Sequence, residues 1–130
     1  MNILSALKFE GSYGSSVYTD ETGRLWTPRN SVWIDTNQSK YGGSSGRFTG
    51  TNAWIDTPDN FNLGSSDFTI SFWFRPTNLA GDQNIFGGAG VAVYIENSGA
   101  ALVALLGAYG SVRNEADFVN NTWYHVASVS

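Results

Sequence analysis

The stretch Phe68-Thr69-Ile70-Ser71-Phe72-Trp73-Phe74-Arg75 alternates strictly. Along an extended chain, Phe68, Ile70, Phe72 and Phe74 point to one side and Thr69, Ser71, Trp73 and Arg75 to the other. A helix would scatter the four large apolar groups round its circumference. In a sheet, a slip of one residue would turn all four to water. The segment therefore demands a sheet with one covered face, and Pro76, which has no N–H to offer a neighbouring strand, ends it.

The rest of the chain repeats the theme in shorter pieces. Apolar residues at period two predict strands over Leu4–Glu10, Val32–Asp35, Gly46–Thr49, Ala53–Thr57, Val91–Glu96, Leu102–Leu106 and Thr122–Val129. Between them lie clusters with turn chemistry: Tyr41-Gly42-Gly43-Ser44-Ser45-Gly46, Asn62-Leu63-Gly64-Ser65-Ser66-Asp67, Gly87-Gly88-Ala89-Gly90 and Asn97-Ser98-Gly99. A helix competes only over Ala100–Ala108, where Ala and Leu are frequent. Glycine turns bracket that stretch at a strand-like length, so it is read as a strand. There is no internal repeat, charge run or low-complexity linker. The expectation is an all-β, antiparallel sandwich in one domain spanning residues 1–130.

Composition decides what such a chain can rely on. With no cysteine, disulfide frameworks, thiolate zinc sites and Cys nucleophiles are absent together. Stability has to come from apolar burial, for which five Trp, six Tyr and eight Phe are the main stock; each can bury roughly 150–250 Å². A net charge of −4 with seven scattered basic residues lacks the clustered cations that grip a nucleic-acid backbone, so nucleic acid is not an expected partner. The opening Met1-Asn2-Ile3-Leu4-Ser5-Ala6-Leu7-Lys8 has no basic n-region and too short an apolar run for a signal peptide. No run approaches the roughly 20 apolar residues of a helical membrane span.

Four pieces, in this order and spacing, resemble the concanavalin A-like, laminin G-like jelly-roll superfamily. They are Lys40-Tyr41-Gly42-Gly43-Ser44-Ser45-Gly46-Arg47-Phe48, Trp54-Ile55-Asp56-Thr57-Pro58, Asp67 through Pro76, and Asn121-Thr122-Trp123-Tyr124-His125-Val126-Ala127. The likeness is greatest to the versions found in bacteriophage structural proteins. There, an opening like Phe9-Glu10-Gly11 and a turn like Thr19-Asp20-Glu21-Thr22-Gly23 precede the Tyr-Gly-Gly-Ser segment. The resemblance implies two packed antiparallel sheets and a surface-binding or structural role. The family's domain continues beyond its Trp-x-His-Val-Ala strand, so the resemblance also implies a jelly roll incomplete at the C-terminus, either a fragment or one whose sheet another chain completes.

Relatives of this fold include glycoside hydrolases, which need two carboxyl groups flanking the scissile bond. Glu115-Ala116-Asp117-Phe118-Val119-Asn120 echoes the glucanase Glu-x-Asp-x-x-Glu pattern, but Asn120 stands where the general acid belongs, and an amide cannot deliver that proton. His125 is the sole histidine, in an apolar strand with no Gly-x-Ser-x-Gly elbow, and reads as a sandwich histidine satisfied by a hydrogen bond rather than as a catalytic base. Metal binding through His125 would need ligands that no spacing suggests. Asp56 and Asp59, with Asp67 and Asp82, are weak calcium candidates, but no loop carries the Asp-x-Asp-x-Asp-Gly pattern and turn formation accounts for them. Asn37-Gln38-Ser39 and Asn120-Asn121-Thr122 match the glycosylation sequon by chance.

Trp73 differs from the phenylalanines because alternation sets it beside Thr69, Ser71 and Arg75. An indole among hydroxyls and a guanidinium suits a sugar ring, whose C–H face stacks on the aromatic while its hydroxyls bond to the neighbours. Cover by a loop or a neighbouring subunit is the structural alternative for Trp73, and Trp26, Trp33 and Trp54 share it. The expected function is a non-enzymatic structural or adhesive module of a virion, as tail fibre, head fibre or capsid decoration. Its expected partners are other virion proteins or copies of itself in a homo-oligomer, with no cofactor and no membrane. The alternative is a carbohydrate-binding module that meets a cell-surface glycan through Trp73, Thr69, Ser71 and Arg75, and the third is an inactive remnant of a glycosidase fold.

Overall fold

Period-two segments become strands, and the strands pair antiparallel throughout the described residues of this computed structural model, 3–50, 52–58, 61, 63, 66–88, 90–106 and 110–129. They fall in two compact units, Met1–Asp59 and Asn60–Ser130.

The first unit holds β1 (Tyr18–Thr19), β2 (Leu25–Arg29), β3 (Val32–Asp35), β4 (Ser45–Phe48) and β5 (Trp54–Asp56). One sheet runs β1-β2-β5; β3 and β4 form a separate pair. Register puts Tyr18 opposite Trp26 and Pro28 opposite Ile55, so one side of the three-stranded sheet is apolar. It packs with Val32 and Ile34 of β3 into a cluster that also takes Leu7, Phe9 and Ala53. Pro28 reads against a strand, yet β1 reaches only Leu25 and Trp26, so among the described residues no strand runs alongside Pro28 on that flank to want its N–H.

The strand expected over Leu4–Glu10 does not form. Phe9 adopts a left-handed backbone, φ 54°, which breaks an extended run. The turn serves packing: the Phe9 ring meets Tyr18 and Phe48 edge-on at 5.7 and 6.0 Å and lies directly over Gly46. A Cβ on Gly46 would stand 2.6 Å from Phe9 Cε1, so that position admits only glycine while Phe9 stays in place.

The second unit is a sandwich of unequal sheets. β7 (Gln83–Gly88), β8 (Val91–Glu96), β9 (Ala101–Leu106) and β10 (Ser111–Glu115) form one sheet in the order β10-β9-β8-β7. β6 (Thr69–Phe74) and β11 (Tyr124–Val129) form the other. As alternation requires, Phe68, Ile70 and Phe72 face inward, onto Val91, Val93 and Ala104 with Leu63, Phe86 and Leu102. Phe74 continues the row into an aromatic cluster with Phe118 and Tyr124, at 5.4 and 5.7 Å. The Tyr124 hydroxyl accepts a hydrogen bond from the Val119 N–H at 2.8 Å, which fixes the entry into β11.

Ala101–Leu106 is a strand and not a helix, while β7 takes in Gly87 and Gly88, which turn chemistry assigned to a loop. Between Asn84 and Phe86 its register with β8 shifts, an extra residue that bends the edge. β10 was not foreseen, because all five of its residues are exposed and no alternation marks them. Asn97–Gly99 forms a short 3-10 turn in which Ser98 and Gly99 have φ of 57° and 99°.

Candidate functional site

In the β6–β11 ladder, His125 stands opposite Trp73, Ala127 opposite Ser71 and Val129 opposite Thr69. These six residues share the outward side of the small sheet and are exposed, because Phe72, Val126 and their neighbours take the core side. Trp73 keeps 40% of its surface. Its ring lies 5.1 Å from that of His125 at an interplanar angle of 41°. The histidine expected to be buried and hydrogen-bonded is thus an exposed aromatic neighbour of Trp73; even places on β11 turn inward and odd places outward, and 125 is odd. Three of the four residues proposed for a glycan surface, Thr69, Ser71 and Trp73, come together here. Arg75 lies one place beyond the end of β6 and is half-buried. Sequence reasoning missed His125, Ala127 and Val129, since only register reveals which strand lies beside β6.

Beside this face the sandwich is open. Two cavities of about 260 and 290 Å³ line β11, bounded by Val126 through Val129 on one side and by Leu102, Ala104, Val112 and Asn114 of β9 and β10 on the other. Val112 stands opposite Ala104, on the core side of its sheet, yet is 57% exposed. The small sheet stops at β11, which has β6 as its only strand neighbour among the described residues, so no strand reaches over Val112.

A second aromatic surface lies in the first unit. Arg29 stands opposite Trp54 and Thr27 opposite Asp56, all on the side of the sheet away from its core. Asp56 accepts hydrogen bonds from Arg29 Nε and Nη2 at 3.0 and 3.2 Å and from the Trp54 indole N–H at 3.1 Å. Arg29, then Trp54, hold the Asp56 carboxyl below the usual carboxylate range. Asp56 is therefore engaged by a guanidinium rather than free in a turn, and Asp59 lies outside the described residues. Among the described residues, no three His, Cys, Asp or Glu side chains gather in a way that could hold a metal ion. Of the remaining tryptophans, Trp26 packs in the core of the first unit and Trp33 lies beneath the Arg47 guanidinium at 5.9 Å.

Among the described residues, the two buried carboxylates serve turns. Asp20 Oδ1 accepts from the N–H and hydroxyl of Thr22 and from the Arg24 N–H, at 2.9, 2.6 and 3.0 Å. Its Oδ2 accepts from Ser5 Oγ at 2.5 Å and Trp26 Nε1 at 3.3 Å, with Arg24 Nη1 at 3.5 Å. Burial alone would raise its pKa, but the combined bonds from Ser5, Thr22, Arg24 and Trp26 win and hold it far below the ordinary value. Asp35 is held down first by the Asn37 N–H at 2.8 Å and then, against burial, by Arg47 at 3.3 Å. In the glucanase-like segment, Glu115 pairs with Arg113 at 2.7 Å, Asp117 is exposed, and Phe118 joins the aromatic cluster.

No curated protein and no solved structure matches the chain. A family model does, that of the concanavalin A-like lectin/glucanases superfamily, over residues 49–130. The match takes in β5 and every strand of the second unit, where Trp73 faces out from a sheet whose other side is the core. With well over half its length covered, the chain belongs to the concanavalin A-like lectin/glucanases superfamily.

Proposed function

We propose that this chain is a non-enzymatic structural or adhesive module of a bacteriophage virion, a fibre or capsid-decoration component that works by fitting against neighbouring proteins. The observation that carries the reading is the open flank of the second unit. Among the described residues β11 has β6 as its only strand neighbour, and beside it Val112 and Val129 are 57% and 67% exposed. Such edges draw in another strand, which recovers both hydrogen bonds and apolar burial. The particular choice of a virion rests on the resemblance in the Phe9-Glu10-Gly11, Thr19–Gly23 and Tyr41–Ser44 segments. Immunogold labelling of particles from the phage or lysogen that encodes the chain tests it directly: label on intact virions is expected, and chain found only in the soluble fraction would retire the virion role.

The outward side of β6–β11 favours a second reading, a glycan-binding module. Trp73 offers an aromatic face, Thr69 and Ser71 offer hydroxyls in line with it, and His125 extends the surface across the ladder. On a glycan array, binding that disappears with Trp73→Ala supports this reading. A chain that binds no glycan leaves the structural role alone.

A further inference from the structure

Arginines in this chain are engaged by carboxylates, with one exception. Arg24 pairs with Asp20, Arg29 with Asp56, Arg47 with Asp35 and Arg113 with Glu96. Arg75 is the fifth arginine, and among the described residues no carboxylate pairs with it. Alternation sets it on the side of β6 that carries Thr69, Ser71 and Trp73, and the proline that follows keeps its backbone extended. Past the ladder the chain still runs beside β11, because the Asn121 N–H donates to the Pro76 carbonyl at 2.7 Å just beyond the Phe74–Tyr124 pair. Thr69, Ser71, Trp73 and Arg75, with His125, Ala127 and Val129 across the ladder, include no Asp or Glu. In a chain of net charge −4, this side holds a cation and no anion. The aromatic surface of the first unit differs in that respect, since Asp56 neutralises the Arg29 beside Trp54. The outward side of β6–β11 is also the broad side of its sheet, which a strand added at an edge would widen and not cover.

Resting on the glycan-binding reading above, we propose that the ligand is an acidic saccharide, with its carboxylate on Arg75 and its ring on Trp73. Residues two apart on one side of a strand are separated by roughly 6.6 Å, at about 3.3 Å per residue. A pyranose ring seated on the indole therefore brings an exocyclic carboxylate to the guanidinium without leaving the surface. The planar fork of N–H donors matches the two oxygens of a carboxylate, and such bidentate pairs are both stronger and more directional than neutral hydrogen bonds. Ser71 and Thr69, the next places in the same row, offer hydroxyls to the units that follow, while the His125 ring flanks the indole at 5.1 Å. A neutral sugar uses Trp73 and the hydroxyls equally well but gives Arg75 nothing of opposite charge. The guanidinium thus decides which sugar is preferred.

A glycan array carrying uronate- and sialate-bearing chains, their carboxyl-reduced counterparts and sulfated chains tests the assignment on the full chain. Binding is expected to concentrate on the carboxylated glycans and to fall at least tenfold when the carboxyl is reduced to an alcohol. Arg75→Gln should erase that preference, so that acidic and reduced glycans bind alike, whereas Trp73→Ala should abolish binding to both, with the circular dichroism of each variant unchanged. The reduced glycans alone decide the matter if Arg75→Gln fails to fold. Equal binding of acidic and reduced glycans by the wild-type chain, a preference for sulfated over carboxylated chains, or a carboxylate preference that survives Arg75→Gln would each overturn the role of Arg75. The glycan-binding reading stands in those cases if Trp73→Ala still abolishes binding. A chain that binds none of the glycans overturns both.

Discussion

Asp20 shows how much of the first unit hangs on one carboxylate. Asparagine in its place keeps an oxygen for Thr22 and the Arg24 N–H but turns an NH₂ toward the Trp26 N–H and the Arg24 guanidinium, which cannot accept from it. Asp20→Asn is therefore expected to lower unfolding stability by about 1–3 kcal/mol, as a buried donor left without its acceptor does; urea titration measures it. The pH dependence has a definite sign. Asp20 and Asp35 both have depressed pKa values in the folded chain, so the unfolded chain binds more protons in acid. Their contribution is intact above the unfolded value of about 3.9 and fades as pH falls toward the folded ones. The urea midpoint should therefore drop as the pH is taken below about 4, and more steeply in the wild-type chain than in Asp20→Asn. Gly46→Ala should displace the Phe9 ring and lose about 1–3 kcal/mol through overpacking, read as a lower Tm with altered near-ultraviolet dichroism. The family resemblance marked Thr19–Gly23 as a turn. It could not show that donors from Ser5 and Trp26 converge on it, since that depends on how the chain returns.

At the scale of elements, legibility followed burial. Strand β6 could be read from its sequence because one side is covered and the other is not. The segments β8 and β11 were readable for the same reason, whereas β9 was read from the glycine turns that bracket it at strand length. Strand β10 could not, because its residues are exposed on both sides, and Leu4–Glu10 misled because its apolar residues reach the core from an irregular arm turned at Phe9. The candidate face was half legible: Thr69, Ser71 and Trp73 follow from alternation within one strand, whereas His125 follows only from pairing. A contrast between two inward positions checks the picture of an open flank. Ile95, 1% exposed, should lose about 2–5 kcal/mol on truncation to alanine. Val112, on the core side of the same sheet, should change by no more than about 0.5 kcal/mol. A large loss at Val112 measured by chemical denaturation would mean that something already covers it.

For the whole molecule, the all-β class and the superfamily were legible, because turn spacing and four separated motifs each constrain a different part of the chain. Far-ultraviolet dichroism should show a β spectrum with little helix. The pairing of Arg113 with Glu96 and Glu115 puts a charge cluster along β10, at the edge of the four-stranded sheet. Charges are a guard that keeps such an edge from templating another strand. Removing it with Arg113→Ala and Glu115→Ala together should give a chain whose apparent mass climbs with concentration and which stains with thioflavin. Three side chains would then be what separates a folded module from a polymer.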